Sequence, residues 1–232
     1  MEILEIIYED EVLIAINKPH GLLVHRSPIA KDADEFALQL LRDQIGQRVH
    51  LIHRLDRKTS GVLLFSKKRE MVKVVQALFN NKEVRKTYHA VVRGHIMEPG
   101  TLIYALEHEG KIQEATTDYV PKSYYEINYS SGRYPSSRYT FVHLLPHTGR
   151  FHQLRKHMAH LRHPIIGDRP HGCNKQNRLW KHELDIDTML LHAAALNFTL
   201  NGKVIELKAD YSPQFKKALR LLQKLNLLDR PV

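Results

Sequence analysis

The chain has 232 residues, 43% of them hydrophobic, enough for one sizeable core or two small lobes sharing one. Lys and Arg outnumber Asp and Glu by 35 to 25, a formal charge of +10, which points to a polyanionic partner, nucleic acid or an anionic membrane surface. The lone Cys173 excludes an intrachain disulfide and a CxxC zinc site, and no basic leader or apolar run of spanning length is present; the expectation is a cytoplasmic protein in a reducing compartment.

In chain order, residues 3–8 and 12–17 read as a hairpin around Glu9-Asp10, followed by a short extended piece, HGLLVH, at 20–25. Residues 34–45 read as a helix, with Phe36, Leu40, Leu41 and Ile45 on one side. Residues 62–66 read as a strand. Met71, Val74, Val75, Leu78 and Phe79 carry the period of an amphipathic helix over 70–80. Residues 84–93 alternate as a strand, with Val84, Lys86, Tyr88, Ala90 and Val92 on one face. Further strands are predicted at 115–120, 124–129, 138–145, 195–200 and 203–207, and helices at 150–161 and 213–225. Sequence-adjacent strands broken by isolated helices argue for an α+β fold around a mixed, mostly antiparallel sheet.

The charge is uneven. Eight Lys or Arg lie between Arg150 and Lys181 against Asp168 alone, and eleven between Arg54 and Arg93 against three acids, whereas 98–120 is acidic. His and Gln, not Trp or Leu anchors, accompany these cations, which favours RNA or DNA over a membrane. Within HRLDRKTSG (53–61), Asp56 stands among His53, Arg54, Arg57 and Lys58. It is either a surface salt bridge or a carboxylate kept ionised to attack a substrate held by those cations.

The helix at 150–161 bears on that choice. Its apolar stripe is Phe151, Leu154, Met158 and Leu161, and Arg155 falls inside it. A guanidinium there needs a carboxylate, and the scarcity of acids in the basic stretches points to Asp56. A core ion pair without chemistry would look the same. Tyr88 likewise fits a strand core as well as a site. His152, His157, His160 and His163 lack metal-ligand spacing and read as solvated or RNA-facing, so no metal is expected. Neither GxGxxG nor GxxxxGK[ST] occurs.

Several stretches together resemble the RluA-type pseudouridine synthases. HRLDRKTSG is similar to that family's catalytic motif. NKPHGLLVH (17–25), KTYHAVVRG (86–94), HTGRFHQLRKHMAHLRHPIIGD (147–168) and LLHAAALNF (190–198) match its other motifs in the same order. The resemblance implies a pseudouridine synthase fold with helices flanking a central catalytic cleft, in one catalytic domain over 1–232 without a separate S4 RNA-binding domain. It implies Asp56 as catalytic aspartate and Arg155 as its basic partner. Tyr88 would be the aromatic that packs on a flipped base, and Arg54 the arginine that enters the RNA stack. Leu191, or else Leu190, would line the base pocket. Lys86, Arg150 and His152, at fixed positions of the same motifs, are candidate substrate contacts. Base flipping fits the chemistry, because C1′ and C5 of a stacked uridine are out of a side chain's reach.

The implied reaction is isomerisation of uridine to pseudouridine, which needs no cofactor. Arg162 replaces the family's usual Gly before His-Pro-Ile, and His171 its usual Tyr. With RYPSSRY (133–139), these departures resemble the family's tRNA-modifying members and imply uridine 65 of the T-stem as target, in a monomer. An rRNA substrate, or a non-catalytic RNA-binding protein on the same scaffold, is the alternative. A glycosidase would want two carboxylates, and the motifs offer only Asp56.

Overall fold

The computed structural model describes residues 3–25, 34–130 and 134–228. Residues 131–132, and residue 133 of the RYPSSRY stretch, therefore lie outside the described residues. The chain divides into two compact units, one from residues to Lys86 with His192–Tyr211, the other from Thr87–Leu191 with the residues from Ser212 on.

In the first unit, β1 (Glu5–Glu9) and β2 (Leu13–Lys18) form the expected antiparallel hairpin. Its turn is set by Asp10, whose Oδ1 accepts from the amides of Val12 and Leu13 at 2.8 and 2.7 Å. The HGLLVH stretch is not a strand; it contributes one isolated bridge, Leu23 to Phe36. The helix α1 (Ala37–Ile45) buries Leu40 and Leu41 and ends on Gly46 at φ 66, the left-handed cap that glycine tolerates. The short β3 (His50–Leu51) and β4 (Ser60–Ser66) bracket the loop that carries Asp56. Every residue of β4 is buried, as a central strand's unbroken apolar run requires. The helix α2 (Arg69–Asn80) follows. Two later strands, β11 (Leu191–Leu200) and β12 (Lys203–Lys208), complete the sheet in the order β1-β2-β4-β11-β12, with β3 also on β4. Only β4 and β11 run parallel among these pairings. Leu13, Val62, Leu64, Val75, Leu196 and Phe198 centre the core.

In the second unit, β5 (Arg85–Arg93), β10 (Ser137–Pro146), β9 (Thr116–Ile127) and β6 (Gly100–Ile103) lie side by side in that order, all antiparallel. The strands predicted at 115–120 and 124–129 are one: β9 runs through Pro121. The register shifts at Phe141/Val142, opposite that proline, so the missing amide falls at an irregularity in the ladder. A hairpin of β7 (Leu106–His108) and β8 (Lys111–Gln113) stands apart from this sheet. Three helices follow, α3 (Gln153–His160), the unpredicted α4 (Asn174–His182) and α5 (Pro213–Leu225). Ser212 caps α5, its Oγ accepting from the Phe215 amide at 3.2 Å, with Pro213 in the first turn. Ala90, Val92, Val142, Leu144, Leu154 and Met158 form the core beside α3. That helix begins later than predicted, because His152 at φ 53 precedes it and Phe151, 46% exposed, lies outside its buried face. Among the described residues no helix is long and apolar enough to cross a membrane.

Candidate active site

The loop around Asp56 is held through its backbone carbonyls, which accept from amides and from the side chain of Lys18. Thr59 donates its amide to the Asp56 carbonyl at 3.0 Å, closing a turn directly under the carboxylate-bearing residue. The next carbonyl, of Arg57, accepts from the Gly21 amide at 2.9 Å and from Lys18 Nζ at 3.1 Å, and the Arg57 Nε returns to the Gly21 carbonyl at 3.0 Å. Asp56 itself stays half-exposed and Arg54 exposed.

Lys18 was not among the residues singled out by sequence. Its side chain is wholly buried, and Nζ donates to the carbonyls of Pro19 at 2.8 Å and Leu22 at 2.9 Å as well as Arg57. Burial pulls its pKa down to about 7, while the charge of Asp56 pulls the other way. Three acceptors match the three N–H donors of an ammonium, which favours the charged form further. The loop thus sits beside an enclosed cation aimed at its backbone.

At its other end the loop enters β4 through a second buried contact. Ser60 Oγ lies 2.9 Å from His192 Nδ1, and His192 Nε2 lies 3.1 Å from the Ala209 carbonyl. A carbonyl can only accept, so Nε2 carries the proton and Nδ1 accepts from the serine hydroxyl. Burial lowers the His192 pKa, against the opposing effects of that carbonyl and of Asp210, and so favours the neutral ring. Gly61, at φ 108, faces Ala193 so closely that a Cβ would lie 2.2 Å from its carbonyl oxygen. Glycine is therefore required where β4 meets β11.

Lys86, at the first unit's boundary, is partly buried, and desolvation lowers its pKa to about 8. Burial lowers His53 to about 4; its Nε2 accepts from the Leu64 amide at 3.1 Å. His25 Nδ1 is buried without a hydrogen-bond partner among the described residues, and desolvation followed by the charge of Arg54 lowers its pKa.

The other predicted residues belong to the second unit. Tyr88 packs against the core of Ala90, Val92 and Leu144, and Leu191 is buried in that same core. Arg155 is buried as expected. The acid that compensates it within this unit is Asp168: Arg155 Nε and Nη2 each donate to an Asp168 oxygen at 2.8 Å, a two-pronged pair whose side chains are 6% and 1% exposed. With Asp168 compensating the guanidinium, the burial of Arg155 is not in itself evidence for a pair with Asp56. Asp168 also accepts from the His171 amide at 3.3 Å, and the His171 ring meets His152 Nδ1 at 3.0 Å.

Arg150 Nε donates to the Glu114 carbonyl at 3.0 Å. His157, expected to be solvated or RNA-facing, is instead fully buried between Thr117 Oγ1 at 3.0 Å and the Tyr104 carbonyl at 3.1 Å. Arg162, in place of the family's glycine, takes φ 62 at the end of α3, the left-handed position that glycine usually fills.

A family model described as RNA pseudouridylate synthase matches residues 12–160. A protein of Vibrio parahaemolyticus called tRNA pseudouridine synthase C is 49% identical over 207 residues, 84% of each chain. One of the same name from Yersinia pestis is 46% identical over 220 residues, covering 89% of this chain and 86% of the relative. Among solved structures, Human RNA Pseudouridylate Synthase Domain Containing 4 has a TM-score of 0.73 at 26% identity, covering 94% of this chain and 93% of that one. Human RNA Pseudouridylate Synthase Domain Containing 1 reaches 0.72 at 23% identity, covering 95% and 94%, and so agrees in fold.

Proposed function

Because the chain belongs to the RNA pseudouridylate synthase family, we propose that it isomerises a uridine of tRNA to pseudouridine, with Asp56 as the catalytic carboxylate. The observation that carries the substrate is the 49% identity to a tRNA pseudouridine synthase C across 84% of both chains. In the reaction the bond from N1 to C1′ breaks, the uracil turns, and C5 bonds to C1′. The hydrogen on C5 leaves as a proton and N1 gains one. Atoms and electrons balance within the nucleoside, so no redox partner or group donor enters.

The uridine must leave its stack before a carboxylate can reach it. Arg54 fills the vacated place, Tyr88 packs on the base, and Leu191 forms an apolar wall. Arg155 supports the charge of Asp56, and Lys86, Arg150 and His152 contact the RNA. These roles follow from the motif positions. The held loop supports Asp56's part: backbone bonds at residues 56, 57 and 59 fix its direction, while its half-exposed side chain stays reachable. The enzyme acts as a cytoplasmic monomer without a cofactor.

We further propose uridine 65 of the T-stem as the target. The test incubates purified protein with unmodified tRNA and with rRNA, then maps pseudouridine chemically in each. A single new pseudouridine in the T-stem is expected. Modification confined to rRNA would remove the substrate assignment and leave the chemistry standing.

A further inference from the structure

We propose that the exposed face of α4, with Lys175, Arg178 and His182, holds the phosphate backbone of the RNA substrate. The inference rests on the reading above and adds which of the many cations meet the polyanion.

The structure divides the basic stretch from Arg150 to Lys181 into committed and uncommitted charges. Arg155 is paired with Asp168. Arg150 Nε donates to the Glu114 carbonyl, and Lys156 Nζ donates to the Glu107 carbonyl at 2.8 Å while standing over the Phe151 ring. Arg169 and Lys181 share Asp187, at 3.6 and 2.8 Å. Among the described residues, the side chains of Arg162, Lys175 and Arg178 have no hydrogen-bond or ion-pair partner, and all three residues are exposed. A cation already paired has less to gain from a phosphate, because its present partner must be given up. The uncommitted cations carry no such cost.

Two of these three lie on one helix. Lys175 and Arg178 are three residues apart and His182 is four further on, so they share one exposed face, flanking buried Leu179. Side chains three apart on a helix are about 5–6 Å apart at Cβ, which lets each meet its own phosphate. They border an open cleft of about 520 Å³ lined by Ser130, Lys175, Arg178, Leu179, His182 and Glu183. Leu179 is nearly buried and Glu183 is the only acid there, so the lining is a cationic rim on a mostly neutral wall. Planar Arg178 suits the paired oxygens of a phosphate, and Lys175 acts as a point charge beside it.

Binding of a tRNA transcript is measured by fluorescence anisotropy between about 50 and about 200 mM salt, where each neutralised phosphate contributes about 0.7–0.9 to the slope of log affinity against log salt. For Lys175→Ala/Arg178→Ala the slope is expected to fall by about 1.4–1.8, with weaker binding throughout. Arg169→Ala/Lys181→Ala, which removes the same number of charges from paired positions, should change the slope by less than half as much. All four residues are exposed, so thermal melting should stay that of the parent and confirm folding. A slope unchanged by Lys175→Ala/Arg178→Ala, or lowered equally by both double variants, would overturn the inference and leave the enzymatic reading intact. A parent protein that binds tRNA without salt dependence and forms no pseudouridine would overturn both.

Discussion

Replacing Lys18 by Met separates what the enclosed amine does for stability from what it does for the Asp56 loop. Methionine has similar length and no charge, so the cavity stays filled. Two contributions then oppose each other. The carbonyls of Pro19, Leu22 and Arg57 lose a donor, at about 1–3 kcal/mol for each one left unsatisfied; Arg57 keeps the Gly21 amide. Against this, the fold no longer buries an ammonium whose pKa is depressed from 10.5 to about 7. At pH 6 the two nearly cancel, and the variant should lie within about 3 kcal/mol of the parent.

Alkaline pH breaks the tie. Between about 7 and 10.5 the unfolded chain holds a proton that folded Lys18 has released, so the parent gains stability as pH rises through that window. The gain is about 3 kcal/mol from pH 6 to pH 9 at about 1.4 kcal/mol per unit, and Lys18→Met lacks it. Urea denaturation of both proteins at pH 6, 7, 8 and 9 reads the difference. Turnover of the variant should fall at least tenfold with little change in KM for RNA, because Arg57, whose carbonyl loses one of its two donors, adjoins Asp56. Parallel stability curves for the two proteins would refute the depressed pKa. Unchanged turnover would refute the claim that Lys18 holds the loop.

Arg155→Leu leaves the carboxylate of Asp168, 1% exposed, as an unpaired buried charge and should cost about 3–5 kcal/mol in chemical denaturation. Arg155→Leu/Asp168→Leu should recover most of that stability; if turnover returns as well, Arg155 has no part in the reaction beyond the core pair. Gly61→Ala would set a methyl 2.2 Å from the Ala193 carbonyl at φ 108, so at least about 3 kcal/mol and most of the soluble protein should be lost. A melting temperature within a few degrees of the parent would show that β4 and β11 can separate locally.

How legible each part was depended on where its physical signal lay. The helix α5 was readable to the residue, because Ser212-Pro213 marks its start and an apolar stripe through Phe215, Ala218 and Leu222 follows. The helix α4 escaped notice because only Leu179 and Trp180 give it an apolar face between Lys175, Arg178 and Lys181, and Gln176 is buried beside them. The strands predicted at 115–120 and 124–129 are joined in β9 because a proline's effect depends on the partner strand, here irregular opposite Pro121. Asp56 stands out in the sequence through its motif. Lys18 does not, since its partners are three carbonyls, which every residue carries and no sequence pattern marks. The pairing of Arg155 with Asp168 joins two residues of one motif segment, thirteen apart, a spacing that no helical or strand period marks.

The role of Asp56 is tested most directly by Asp56→Asn, which keeps the side chain's shape and removes its charge. Forming the C5 bond expels the hydrogen at that carbon, so tritium release from C5-labelled uridine in tRNA follows the reaction itself. With the variant saturated by RNA, release should fall below detection while RNA affinity stays within about threefold of the parent, since one acid lost from a protein of charge +10 does not weaken its hold on a polyanion. Tritium release near the parent rate would mean that Asp56 is no more than a loop residue among cations, and the assignment of the catalytic carboxylate would fall.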